Sequence, residues 1–229
     1  MAYVGGKGNC IARVIGAMPT HSIYIETHLG GGAVMRAKRP AQRQIGIDAD
    51  ERVIRAWRER GAPCELVHSD AVTFLKQFPF SGSELVYADP PYPAETRSGA
   101  HRYRHDYQEE DHAELLKVLA SLNCRVLVSG QPTRLYNERL ATWRCTQFGS
   151  GGRRGGRREL LWANYPEPVA LHDPAKAGAT FRERERVKRR LTTIQRKVER
   201  MGFAERTLFV DWLTATYPEQ VGRAEPEVA

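Results

Sequence analysis

The amino-acid sequence predicts an α/β fold: a doubly wound, mainly parallel sheet with a helical extension towards its C-terminal end. Three observations carry this. Short runs rich in Val, Ile and Leu alternate with helical patterns, as they do in βαβ units. Three of the runs end at or beside an acid, Asp48, Asp70 or Asp89, and ligands of such sheets bind outside the carboxyl ends of the strands. Beyond Tyr165 the character changes to prolines, a linker and a strongly basic helical pattern.

Strands are expected at Ile23 to Leu29, Gln44 to Asp48, Cys64 to Asp70, Glu84 to Asp89, Arg125 to Gly130 and Glu159 to Tyr165. Helices are expected at Glu51 to Arg60, Ala71 to Gln77, Glu109 to Leu122 and Thr133 to Leu140, with an apolar helix near the N-terminus. Pro166 and Pro168 break regular structure, and Leu171 to Thr180 reads as a linker. Residues 1–168 are thus the expected main domain, and 169–229 a linker with a basic helical extension. Between Phe181 and Met201, nine Lys or Arg stand against three Glu, a net +6. Val187, Leu191, Ile194 and Val198 step by four, three and four, so one narrow apolar face is free to dock while the rest stays charged.

With 41% hydrophobic and 27% charged residues, the composition is that of a globular chain, not a disordered one. The formal charge of +8 suits a polyanionic partner. Cys10, Cys64, Cys124 and Cys145 form no Cys-x-x-Cys pair and have no ligand-spaced His, so neither a metal site nor a disulfide framework is expected, only reduced and mostly buried thiols. No apolar run reaches the length of a membrane span, and a cytoplasmic location is the expectation.

The strongest motif is Asp89-Pro90-Pro91-Tyr92, which closes the apolar run Leu85 to Ala88. An exocyclic adenine amine is a poor nucleophile because its lone pair is delocalised into the ring. A carboxylate and a backbone carbonyl that each accept one N–H bond pull the nitrogen towards tetrahedral geometry and aim its lone pair. Asp89 and the Pro90 carbonyl match that need. Consecutive prolines fix the turn, and Tyr92 offers a ring face for an unstacked base. Taken singly, the same residues also read as a plain strand-ending turn.

The run Glu26-Thr27-His28-Leu29-Gly30-Gly31-Gly32-Ala33-Val34 is a strand entering glycines and then a helix, where a ligand can approach the backbone. Asp48 is placed to accept from ribose hydroxyls or to cap its strand, and Asp70 to bond a cofactor amine or to cap the helix from Ala71. Tyr3 to Lys7, with two glycines, adds an aromatic and a cation for a carboxylate.

Tyr3 to Lys7, Glu26 to Val34, Gly46 to Asp50, Asp70 and Asp89 to Tyr92, in this order, resemble the Dam-type adenine-N6 DNA methyltransferases, over roughly residues 1–165. The resemblance implies a sheet of the S-adenosylmethionine-dependent methyltransferase type and S-adenosylmethionine as cofactor. It places Tyr3, Lys7, Glu26, Leu29, Gly30, Gly31, Gly32, Asp48, Ala49, Asp70 and Ala71 around that cofactor, and Asp89, Pro90, Pro91 and Tyr92 at the reacting base. Two departures stand out. Thr27-His28 replaces the family's usual Pro-Phe, and only 18 residues separate Asp70 from Asp89, where the family carries a target-recognition domain.

Three basic segments are candidates to hold nucleic acid instead. They are the loop with Arg97, Arg102, Tyr103, Arg104 and Tyr107, the glycine-rich stretch with Arg153, Arg154, Arg157 and Arg158, and the helix with Lys188, Arg189 and Arg190. Each also reads as a solvated loop or face. The expected activity is methyl transfer to adenine N6 in DNA with short or relaxed recognition. RNA adenine methylation, cytosine-N4 methylation and a catalytically silent nucleic-acid-binding relative are the alternatives.

Overall fold

A computed structural model of the chain describes residues 10–93, 106–149, 158–178 and 180–221. The predicted apolar runs become strands β1 Ile23–Glu26, β2 Arg43–Asp48, β3 Glu65–His68, β4 Glu84–Ala88, β5 Arg125–Gly130 and β7 Arg158–Ala163, joined by β6 Arg144–Gly149. Their order is β3-β2-β1-β4-β5-β7-β6, and β1 to β5 pair in parallel with their neighbours. β7 runs antiparallel to both β5 and β6. This is the doubly wound, mainly parallel α/β sheet expected.

The central strands are apolar without alternation because both faces are covered. Helices α1 Ile11–Gly16, α2 Ala33–Ala37 and α3 Glu51–Glu59 bring Val14, Met35, Val53 and Trp57 against Tyr24, Leu85, Tyr87 and Leu127 on one face. Helices α4 Ala71–Gln77, α5 Glu109–Ser121 and α6 Arg134–Arg139 bring Leu75, Leu115, Leu119 and Tyr136 against Ile25, Ile47, Val86 and Val126 on the other. Burying each such aliphatic side chain contributes about 1.5–3 kcal/mol, so these strands announce themselves in composition. β6 has no such payload. Cys145, Thr146 and Gln147 are exposed, and backbone pairing from Arg144↔Ala163 to Gly149↔Arg158 holds this edge strand, which is why its sequence does not predict it.

Helix starts follow their capping residues. Asp50 accepts from the Arg52 amide, Asp70 from Thr73 and Thr133 from Tyr136, while Gln108 and Asp111 form a capping box. The first expected strand is shorter than predicted. It stops at Glu26, and Thr27 to Leu29 already belong to the turn. Of the cysteines only Cys10 is buried; Cys64 and Cys124 are half-buried and Cys145 is exposed, because its edge strand has no covering layer.

The chain divides into two units between Asp173 and Pro174. The residues just before the boundary, expected in a linker, are tied to the sheet unit instead. The Thr20 amide donates to the Ala170 carbonyl, the His172 amide to Met18, and the Arg39 amide to the Asp173 carboxylate. In the second unit, α7 Phe181–Glu199 starts at a Thr180/Glu183 capping box, and α8 Phe203–Thr216 and α9 Pro218–Val221 follow. The stripe of α7 is not buried: Val187, Leu191 and Ile194 remain about half exposed. α8, which the sequence pattern does not announce, also leaves Phe203, Leu208, Val210 and Trp212 exposed. Among the described residues no helix is long and apolar enough to cross a membrane.

Candidate active site

The carboxyl ends of β1, β2, β3 and β4 lie along one edge of the sheet, and the glycine turn, Asp48, Asp70 and Asp89 to Tyr92 follow the strands there. In the order β3-β2-β1-β4-β5, the connections reverse direction between β1 and β4, so the binding crevice expected of such a sheet lies outside these two strands. The glycine turn leaves β1 on one side of that crevice, and Asp89 to Tyr92 leave β4 on the other.

The glycine turn is held from beneath. Gly30 and Gly32 adopt left-handed backbone with φ of 43° and 55°. A Cβ at Gly32 would stand 2.0 Å from Trp57 Cζ2, so the indole occupies the space a side chain would need. The Trp57 Nε1–H donates to the Gly30 carbonyl at 2.9 Å. Leu29 is buried and packs over Gly46, its amide donates to the Ile47 carbonyl at 2.8 Å, and its carbonyl accepts from the Gly32 amide at 2.6 Å. Gly31 is half-buried.

Asp48 closes the turn from β2. Its Oδ2 accepts from the Gly30 amide and its Oδ1 from the Asp50 amide, both at 2.8 Å. A carboxylate offers about four acceptor positions, so sharing with hydroxyls of a ligand is compatible with these bonds. The neighbouring Ala49 carbonyl bonds His68 Nε2 at 3.1 Å. Asp70 is the N-cap of α4, accepting from the Thr73 amide and hydroxyl, and Ala71 is buried at the first turn. Of the two readings of Asp70, the structure shows the cap; its charge also acts on His28 and Tyr107.

Glu26 does not line the crevice. It is buried, accepts from the Tyr24 hydroxyl at 2.9 Å, and desolvation pushes its carboxyl up to about 8. It is a neutral acid at pH 7 that supports the turn from within. Lys38, beside it, lies 4.3 Å from the Tyr24 ring centroid and is brought down to about 8 by its own desolvation.

At the departure from the family pattern, His28 Nδ1 meets the Thr27 hydroxyl at 2.8 Å and Nε2 the Tyr107 hydroxyl at 3.1 Å. Burial brings the imidazole down to about 3, so it is neutral. Because Thr27 Oγ1 donates to the Tyr87 carbonyl, the network assigns the proton to Nδ1 and makes Nε2 an acceptor from Tyr107. Tyr107 thus belongs to the wall beside the glycine turn, with its ring edge-on to His28 and His112. Its hydroxyl and ring are engaged within the sheet unit, and the residue remains half-buried.

On β4, Pro90 is buried, while Asp89, Pro91 and Tyr92 are half-buried. Asp89 Oδ1 accepts from Ser129 Oγ of β5 at 3.0 Å, and the Tyr92 hydroxyl bonds the Glu159 carboxylate of β7. Tyr24, Trp57, Tyr87, Ser129 and Glu159 all escape sequence reasoning, since each acts through a partner distant in sequence or lies in an ordinary apolar run. Tyr3, Lys7, Arg97, Arg102, Tyr103, Arg104, Arg153, Arg154 and Arg157 lie outside the described residues. Arg158 opens β7, and Lys188, Arg189 and Arg190 are exposed on α7. No group of three metal-ligating side chains forms among the described residues.

No family model matches the chain, and no curated protein sequence matches it. Solved structures do. A precorrin 8W decarboxylase of Methanobacterium thermoautotrophicum shares 13% identity over 70% of this chain and 90% of its own, with a TM-score of 0.44. A dimethyladenosine transferase of Plasmodium falciparum shares 14% over 71% and 62%, with a TM-score of 0.43. A magnesium protoporphyrin IX methyltransferase of Synechocystis shares 14% over 69% and 77%, with a TM-score of 0.45. The likeness is one of fold.

Proposed function

We propose that the chain transfers a methyl group from S-adenosylmethionine to N6 of adenine in DNA, with short or relaxed sequence recognition. The observation that carries the reading is that the two strands flanking the crevice, β1 and β4, deliver the glycine turn and Asp89-Pro90-Pro91-Tyr92 to the same edge. The donor set fits the cofactor. Backbone at Gly30 to Gly32 is open to close approach, Asp48 offers acceptors to a diol, and Asp70 stands at the third strand end for an amine. S-adenosylmethionine, when bound, supplies an electrophilic methyl group. Asp89 and the Pro90 carbonyl accept the two N–H bonds of the target amine and aim its lone pair. Tyr92, tethered through its hydroxyl, presents a ring for stacking. The +8 charge and the basic face of α7 support a nucleic-acid substrate.

The test is to digest DNA and RNA separately from cells expressing the protein and measure N6-methyladenine in each pool. Methylation is expected in DNA; methylation confined to RNA would replace the substrate class, and none in either would sink the reading. Asp89→Ala is expected to lower transfer about 100-fold or more while leaving cofactor binding within about twofold, since a preorganised acceptor is lost.

A further inference from the structure

Asp89 follows Tyr87 by two residues and so emerges on the same face of the sheet. The β4–β5 register pairs Ala88 with Val128, which brings Ser129 alongside Asp89. Ser129 is fully buried. Its Oγ donates to Asp89 Oδ1 at 3.0 Å and lies 2.8 Å from the Tyr87 hydroxyl. A serine hydroxyl has one proton to give. With that proton committed to Asp89, the Tyr87 phenol must be the donor to Ser129, and the chain has a single direction, Tyr87 to Ser129 to Asp89.

We propose that Ser129, backed by Tyr87, is a positioning residue that sets the rotation of the Asp89 carboxylate towards the substrate amine. The proposal rests on the reading of Asp89 as acceptor for adenine N6. A carboxylate on a single methylene turns about two torsions, and an acceptor displaced by an ångström loses much of its effect on a developing lone pair. Held through Oδ1 by a buried hydroxyl, the group keeps one orientation. Titratable groups whose charge couples to Asp89 include Tyr24 and Glu26 of β1 and Tyr136 of α6. Burial keeps all three protonated at neutral pH, so the Ser129 donor acts on Asp89 without a rival ionised acid among them.

The experiment is a 13C titration of the Asp89 side-chain carboxyl in the full chain, alongside the pH profile of methyl transfer, for wild type, Ser129→Ala, Ser129→Thr and Tyr87→Phe. Loss of a hydrogen bond to the charged form in Ser129→Ala is expected to raise the Asp89 pKa by about one to two units. The acid limb of kcat should move with it, with kcat at neutral pH about tenfold lower and KM for S-adenosylmethionine within about twofold. Ser129→Thr, which keeps the hydroxyl, should restore the wild-type titration, and Tyr87→Phe should shift it in the same direction by less. An Asp89 titration unchanged in Ser129→Ala overturns the proposal whatever the activity. A shifted titration in a protein that methylates neither DNA nor RNA upholds the positioning and removes only the functional reading beneath it. If Ser129→Ala does not fold, the same titration of Ser129→Cys, a weaker donor of similar size, decides in its place: a raised Asp89 pKa supports the proposal and an unchanged one overturns it.

Discussion

Replacing Gly32 by Ala tests whether the glycine turn owes its shape to what lies under it. The residue sits at φ 55°, where a Cβ costs about 1–2 kcal/mol in backbone strain. That Cβ would also stand 2.0 Å from Trp57 Cζ2 and 2.6 Å from Cη2. Overpacking of this kind costs about 1–3 kcal/mol. The indole cannot yield without straining its bond to the Gly30 carbonyl, a further loss of about 0.5–1.5 kcal/mol. The expected total is about 3–6 kcal/mol, a large share of the roughly 5–15 kcal/mol that stabilises a domain. Urea unfolding followed by far-UV circular dichroism measures it in four proteins: wild type, Gly32→Ala, Trp57→Phe and the double variant. Shrinking the indole removes the clash, so the double variant should be more stable than additivity predicts by about 1–3 kcal/mol. Additivity to within about 0.5 kcal/mol would show that Trp57 is not the reason for the glycine, and a Gly32→Ala cost below about 1 kcal/mol would refute the strain argument as well.

Glu26 gives a pH prediction. Its folded carboxyl titrates at about 8 against an ordinary 4.5, so the folded state holds a proton that the unfolded state releases, and stability falls as pH rises from about 4.5 to about 8. Glu26→Gln keeps an acceptor for Tyr24 and has no proton to lose; it should match wild type near pH 5 and exceed it by roughly 3–5 kcal/mol near pH 8.5 in thermal unfolding, whereas parallel curves would refute the assignment. Asp48→Ala removes an acceptor and the brace on the Gly30 amide, and should weaken S-adenosylmethionine by about 1–3 kcal/mol in calorimetry; an unchanged Kd would leave Asp48 only its role in the turn. Changing Lys188, Arg189 and Arg190 together to Gln should lower the slope of log affinity against log salt by about 2–3 if each neutralises one phosphate, and an unchanged slope would make that face simple solvation.

The legible part of the fold is the part that buries branched aliphatic side chains. β4 and β5 are readable from Leu85-Val86 and Val126-Leu127-Val128, since continuous apolar runs are what a strand covered on both faces requires, and β1 and β2 from the isoleucines Ile23, Ile25, Ile45 and Ile47 in short runs. β6 is not, because an edge strand with Cys145, Thr146 and Gln147 exposed needs only backbone pairing. α8 escapes for another reason: its apolar residues point all around the helix, so no period of 3.6 emerges. Asp48, Asp70 and Asp89 can be placed together because strand ends share an edge. What holds them cannot, since Gly30 to Trp57 and Asp89 to Ser129 are links that only the folded register creates. Glu26 shows the limit most clearly. Its position in the motif is right, while its side chain turns inward, because residues Tyr24 and Glu26 share the buried face of β1.

The β6–β7 pair has a bearing on how such a protein can change over evolutionary time. Because β7 runs antiparallel to β5, β6 ends and β7 begins at the edge that carries Asp89, and their pairing is complete up to Gly149↔Arg158. Glu159, one residue further on, already touches Tyr92. The eight residues from 150 to 157 therefore join two strands that are anchored at this same edge. Doubling the length of such a connection costs only about 0.6 kcal/mol in closure entropy. Because both flanking strands are fixed by their own registers, changes of length or sequence there can be accommodated without moving the sheet, so this edge is free to vary while the core is left intact.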